Sequence, residues 1–184
     1  MAEAKSKADN VMLNSIHIDK VTINIGSGKD QYKLEKGLNL LEKITGKKPI
    51  KTLSKHRIAT WGIRLGLPIG CKVTVRGKDA IELLNRLLIG VDNRINPRCF
   101  DKKGNFSFGV KDYIEVEGMK YDPDIGMMGF EVCVTLKRKG SRVALRAKNA
   151  YKIGKRQAIT TEQAQNYIKD NFKVIFTTDK EDEE

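Results

Sequence analysis

The stretch VTINIGSGKD, Val21 to Asp30, has the residue types of a phosphate-binding loop: a β-branched run, a Gly-Ser-Gly-Lys turn and a helix expected behind it. Backbone N–H groups and a lysine gathered at a helix N-terminus can hold phosphate. The full pattern also needs a glycine five residues before the last glycine and a hydroxyl residue after the lysine. Those positions hold Ile23 and Asp30, and a carboxylate there repels phosphate. A dinucleotide fingerprint fails too, because Gln31 stands where its third glycine belongs. An NTP-binding enzyme built on this turn is kept as the alternative reading. The glycines are better explained as a tight strand-to-helix turn.

Other reaction chemistry is equally thin. His17 and His56 are the only histidines, no Gly-x-Ser-x-Gly pattern occurs, and Asp122 and Asp124 flank a turn proline where Asp serves the backbone. Cys71, Cys99 and Cys133 lie far apart without a CxxC pair, so a zinc site is not expected. They read as buried or half-buried thiols in a reducing compartment. The expectation is no catalytic residue, no metal and no cofactor.

A binding chemistry has more support. The 184 residues include 35 basic and 23 acidic side chains, a net charge of +12 that favours an anionic partner. The excess is segregated. No acid occurs from Lys43 to Lys78, nor between Glu131 and Glu162, while acids collect at Asp112–Asp124 and Asp179–Glu184. Solubility alone would mix the signs. The strand CKVTVRG alternates Lys72, Thr74 and Arg76 with Cys71, Val73 and Val75, and the first strand alternates Thr22 and Asn24 with Val21, Ile23 and Ile25. Period two puts each polar set on one face. Neighbouring strands would then offer short hydrogen-bonding groups and cations to the phosphates, sugars and base edges of folded RNA. The basic stretch SKHRIATWGIRLGL after Leu53 contains the only tryptophan, Trp61, and reads as an extended RNA-contacting loop.

These residues need elements to hold them. Apolar spacing predicts a strand over Ile16–Ile25 with a bulge near Asp19–Lys20, where the parity of the apolar positions changes. Asp30 is expected to cap a helix to about Ile44, with Leu34, Leu38 and Leu41 on one face and Gly46 ending it. Strands are expected at Pro49–Leu53, Ile69–Arg76, Asn105–Val110, Tyr113–Val116, Phe130–Arg138 and Val174–Thr177. A second helix carries Ala80, Leu83, Leu84, Leu87, Leu88 and Val91 on one face. A third starts at Thr160, where Thr160 and Gln163 fit a capping box, and runs to about Asn171. The fold class expected is α+β: a single domain with a mainly antiparallel sheet and helices packed on one face. Residues 10–177 form that domain, with a basic loop at 54–67 and a basic extension at 137–156, between a flexible tail at 1–9 and an acidic disordered tail at 178–184. No apolar run approaches the ~20 residues of a membrane span, and the polar N-terminus lacks a signal segment, which points to the cytoplasm without membrane attachment.

Five segments in order, NIGSG, ITGKKPI, IRLGLPIGCKVTVRG, FDKKGNFSFGVKDYIE and YDPDIGMMGFEV, closely resemble the universal ribosomal protein family number five of the large subunit, over roughly Asn10 to Val174. YDPDIG and the Arg142–Arg156 extension resemble its archaeal and eukaryotic branch, and the short length favours an archaeal source. The resemblance implies a non-enzymatic protein that binds 5S rRNA and ties it to large-subunit rRNA in the central protuberance. Asn24 and Thr74 would contact 5S rRNA, joined by Thr22, Lys72, Arg76, Lys47 and Lys48. Lys55, His56, Arg57 and Arg64 would lie on a loop that approaches peptidyl-site tRNA. Lys137, Arg138, Lys139, Arg142, Arg146 and Lys148 would meet other rRNA, and neighbouring ribosomal proteins would include one from the small subunit at a bridge. The chain departs from the family pattern at Asn10-Val11-Met12, within LSKHRIATWGIR, at Arg138-Lys139-Gly140 and over Gly154–Ala158.

Overall fold

The break in apolar parity near the N-terminus is a β-bulge. In the computed structural model, which describes residues 15–155 and 157–177, strand β1 spans Ile16–Gly26 and its register against β6 (Phe130–Arg138) shifts between Ile18 and Lys20. The extra residue, Asp19, lets Ile18 and Val21 both face the core although three positions separate them. Beyond it, Val21, Ile23 and Ile25 are buried, and Thr22 and Asn24 turn to the other side.

β1 is the middle of a five-stranded sheet, antiparallel throughout, in the order β2 (Ile50–Leu53), β3 (Pro68–Val75), β1, β6, β5 (Phe106–Val110). Helix α1, Gln31–Thr45, packs over β3 and β1, and α2, Lys78–Ile89, packs on β1. α1 starts where Asp30 accepts hydrogen bonds from the N–H groups of Tyr32 and Lys33, 3.0 and 3.3 Å away. It stops at Gly46, whose φ of 62° is open to glycine. Its buried stripe is Leu34, Gly37, Leu40, Leu41 and Ile44, not the expected Leu34, Leu38 and Leu41. The difference comes from Gly37: a Cβ there would lie 3.1 Å from Cys71 Sγ, so the bare backbone is the point of closest approach to the sheet and Leu38 falls to the margin.

α2 buries Ala80, Leu83, Leu84, Leu87 and Leu88, and ends before Val91. α3, Thr161–Phe172, opens with the capping box of Thr160 and Gln163 and adds Ala164 and Ile168 to the same core. Two strands of two residues each, β4 (Arg94–Ile95) and β7 (Ile175–Phe176), pair as a small parallel sheet. Tyr113–Val116 is not a strand. Tyr113–Glu115 is a 3₁₀ turn, because burying both Tyr113 and Val116 needs a period of three. The buried Tyr113 hydroxyl accepts the Asp122 N–H at 2.8 Å and so fixes the Tyr121–Gly126 segment. The Asp122 carboxylate accepts the Asp124 N–H, the backbone role expected of it.

The expected tails, residues 1–9 and 178–184, lie outside the described residues, as do Asn10-Val11-Met12 and Arg156. Among the described residues no helix is long and apolar enough to cross a membrane.

Candidate nucleic-acid interface

With α1 and α2 covering one face of the sheet, the other is open, and its composition follows from register. Thr22 stands opposite Thr74 and Asn24 opposite Lys72 across β1 and β3. The hydroxyl oxygens of Thr22 and Thr74 are 3.4 Å apart. Lys72 and Thr74 are exposed, Thr22 and Asn24 half-buried. The neighbouring strands add residues that single-strand patterns did not single out. β6 places Cys133 beside Thr22 and Glu131 beside Asn24, and β5 continues the row with Ser107 and Gly109. The alternation of FSFGV, with Ser107 and Gly109 between buried Phe106, Phe108 and Val110, was the signal for the last two. Cys133 and Cys99 are exposed, which corrects the expectation that all three thiols are covered. Only Cys71 is buried, and that burial pushes its thiol up to about 11. Partial desolvation on the sheet, then the charge of Glu131, raises the Cys133 thiol.

Several of the expected contact cations already have partners. Asp19, at the bulge, accepts from Lys137 Nζ at 2.8 Å and from Arg76 Nη1 at 3.3 Å through one oxygen, Oδ2. Burial opposes its ionisation, but the hydrogen bond and charge of Lys137, with Arg76 and Lys20 behind them, hold its carboxyl below the ordinary range. Lys47 bonds Asp79 at 2.8 Å, and that bond holds the Asp79 carboxyl low. Lys48 is exposed. Arg138 Nη2 donates to Gln163 Oε1 at 2.7 Å, which ties the end of β6 to the capping box of α3.

Two amides of the Gly-Ser-Gly-Lys turn are already bonded within the protein. The N–H groups of Ser27 and Gly28 both donate to the Ile69 carbonyl of β3 at 3.0 Å, and the Asp30 carboxylate occupies the N-terminus of α1. Ser27 is buried, its hydroxyl with it. A phosphate would find those donors taken. Among the described residues no three His, Cys, Asp or Glu side chains converge on a metal-sized site.

The loop from Ser54 to Leu67 is irregular but built. The Ser54 N–H donates to the Leu67 carbonyl at 2.8 Å, the Gly66 N–H donates to the Ser54 carbonyl at 3.0 Å, and Ile58 and Ile63 exchange backbone bonds of 2.9 and 3.0 Å. Ser54 is buried and donates to the His56 carbonyl at 2.7 Å. Ile63 is the buried anchor, while Trp61 stands out at 67% exposure. Lys55, His56, Arg57 and Arg64 are all exposed on it. Beyond the C-terminal end of β6, Lys139, Arg142, Arg146 and Lys148 are exposed on an arm that runs to Lys155, with a 3₁₀ turn at Ser141–Ala144. The structure therefore brings Thr22, Asn24, Lys72 and Thr74 into one patch and leaves the loop and the arm as separate basic surfaces.

Comparison with known proteins gives the family of the chain. A family profile described as "Ribosomal protein L5" matches residues 10–64, and the profile for the C-terminus of the same ribosomal family matches residues 68–176. The fold joins the two regions in one sheet, since β1 pairs with β3 and β6. The chain is 43% identical to the large ribosomal subunit protein uL5 of Sulfurisphaera tokodaii over 163 residues, covering 88% of this chain and 92% of that protein. It is 46% identical to uL5 of Nanoarchaeum equitans over 152 residues, 82% of this chain and 89% of the relative. With uL5 of Methanobrevibacter smithii it shares 40% over 167 residues, 91% and 98% of the two chains. On these matches the chain belongs to the ribosomal protein L5 family, structural and non-enzymatic proteins of the large subunit of the cytoplasmic ribosome.

Proposed function

We propose that this chain holds 5S rRNA on the open sheet face and ties it to large-subunit rRNA in the central protuberance. The observation that carries this reading is the patch Thr22, Asn24, Lys72 and Thr74, set side by side by the β1–β3 register. Short donors and acceptors beside a cation suit phosphate, ribose hydroxyl and base-edge contacts on a folded RNA. Stacking aromatics are absent from that patch, which favours a shaped RNA over an unpaired strand there. The Ser54–Leu67 loop, with Lys55, His56, Arg57 and Arg64, approaches peptidyl-site tRNA, and the arm with Lys139, Arg142, Arg146 and Lys148 meets other rRNA. Neighbouring ribosomal proteins include one of the small subunit at a bridge.

The test is affinity for 5S rRNA and for an unrelated RNA of equal length at two salt concentrations. The expected result is tighter binding to 5S rRNA at both, with both affinities falling as salt rises. Equal affinity for the two RNAs would reduce the protein to a general polyanion binder.

A further inference from the structure

A tryptophan left two-thirds exposed on a loop whose backbone is locked at both ends calls for a ligand. Trp61 closes a 3₁₀ turn, Ala59–Trp61, and is followed by Gly62 at a φ of 66°, a conformation suited to glycine. The Ile58–Ile63 bonds close the turn, and the Ile63 side chain is buried. The indole is thus held out on a hydrogen-bonded turn. Cations surround it along the chain: Lys55, Arg57 and Arg64 are exposed on the same loop, with no acid from Lys43 to Lys78. Lys29, the lysine of the Gly-Ser-Gly-Lys turn, joins them, its Cδ lying 4.0 Å from the place a Cβ would take on Gly62.

We propose that Trp61 is a stacking platform for an unpaired nucleobase, with Lys29, Lys55, Arg57 and Arg64 holding the phosphates on either side of it. The inference rests on the RNA-binding reading of this loop and narrows its ligand to a splayed or single-stranded nucleotide. An exposed indole offers its face to any base, whereas a duplex keeps its bases stacked on one another and can offer the loop only its backbone. A protein partner would cover Trp61 by apolar contact, but Lys55, Arg57 and Arg64, in a stretch without an acid, favour a polyanion.

Because Trp61 is the only tryptophan in the chain, its fluorescence reports this site alone. The full-length protein is titrated with a 12-nucleotide oligoribonucleotide unable to pair with itself, and with the duplex it forms with its complement. The single strand is expected to quench Trp61 saturably and the duplex to leave it nearly unchanged. Trp61→Ala, followed by anisotropy of the labelled strand, is expected to weaken single-strand binding about tenfold, and Trp61→Phe to restore most of it. Equal quenching by strand and duplex, or unchanged single-strand affinity in Trp61→Ala, would overturn the proposal, the latter leaving Trp61 to a protein. Selection of 5S rRNA over an unrelated RNA is measured in parallel on the wild-type protein. Absent quenching with 5S rRNA selection intact overturns the stacking site alone, and quenching without that selection overturns the 5S rRNA reading alone.

Discussion

Thr22 and Thr74 face one another across β1 and β3 with their hydroxyl oxygens 3.4 Å apart, and Asn24 stands opposite Lys72 two positions along. Each hydroxyl has capacity beyond this long contact to bond a ligand. Thr74→Val and Asn24→Ala are expected to weaken 5S rRNA binding by on the order of 1 kcal/mol each, about fivefold. The core behind the patch is untouched, so thermal stability should stay within about 0.5 kcal/mol of the parent. Anisotropy titrations and thermal melts measure both; wild-type affinity in both variants would rule out the sheet-face contact.

Asp19 holds Lys137 and Arg76 from the bulge, and its lowered carboxyl pKa makes that link sensitive to acid. A depressed carboxyl pKa contributes stability above the unfolded value, ~3.9, and loses it as pH falls through the lower folded value. Asp19→Asn is therefore expected to lower stability at pH 7 by about 1–2 kcal/mol, with the difference shrinking below about pH 4. Urea melts at pH 7 and pH 3 give the comparison. The same variant frees two cations beside the patch, so its RNA affinity at pH 7 should rise while its stability falls. A parallel fall in both would mean that Asp19 acts only by holding the strand in place.

Thiol reactivity can map the bound face. Iodoacetamide at pH 7.5 should alkylate exposed Cys99 first and Cys133 more slowly, because partial desolvation and Glu131 raise the Cys133 thiol. Cys71, buried and pushed up to about 11, should react only on unfolding. Cys133 lies beside Thr22 on the open face, so saturating 5S rRNA should protect it and leave Cys99 reactive. Mass spectrometry of the alkylated peptides reads the pattern, and protection of Cys99 in place of Cys133 would put the RNA on another surface.

The arm after β6 should act through charge. Replacing Arg142, Arg146 and Lys148 with Ala is expected to weaken binding of 5S rRNA and unrelated RNA alike. If each side chain neutralises one phosphate, the slope of log affinity against log salt should become shallower by about 2–3. A loss confined to 5S rRNA would instead assign these residues to sequence or shape recognition.

Much of the fold was legible because it is encoded locally. The alternation of Phe130–Arg138 fixes a strand, Asp30 and Thr160 cap their helices through atoms two or three residues away, and the parity change between Ile18 and Val21 marks a bulge. The polar sides of β1 and β3 follow from the same period of two. Tyr113–Val116 misled because four residues with three apolar positions fit a strand and a 3₁₀ turn alike, and the pull of the core on Tyr113 and Val116 decided between them. What joins distant segments was beyond any local pattern. Asp19 meets Arg76 and Lys137 across 57 and 118 residues, and Glu131 comes to stand beside Asn24. Ile63 became the buried apolar residue of the basic loop while Trp61 was left outside. The sequence by itself determined most of the strands, the helix caps and the chemistry each strand offers, since these depend on neighbours a few residues apart. Tertiary structure alone decided which cations are neutralised and which side chains share the open face. Strand order and register set both, and they arise from packing the whole core at once.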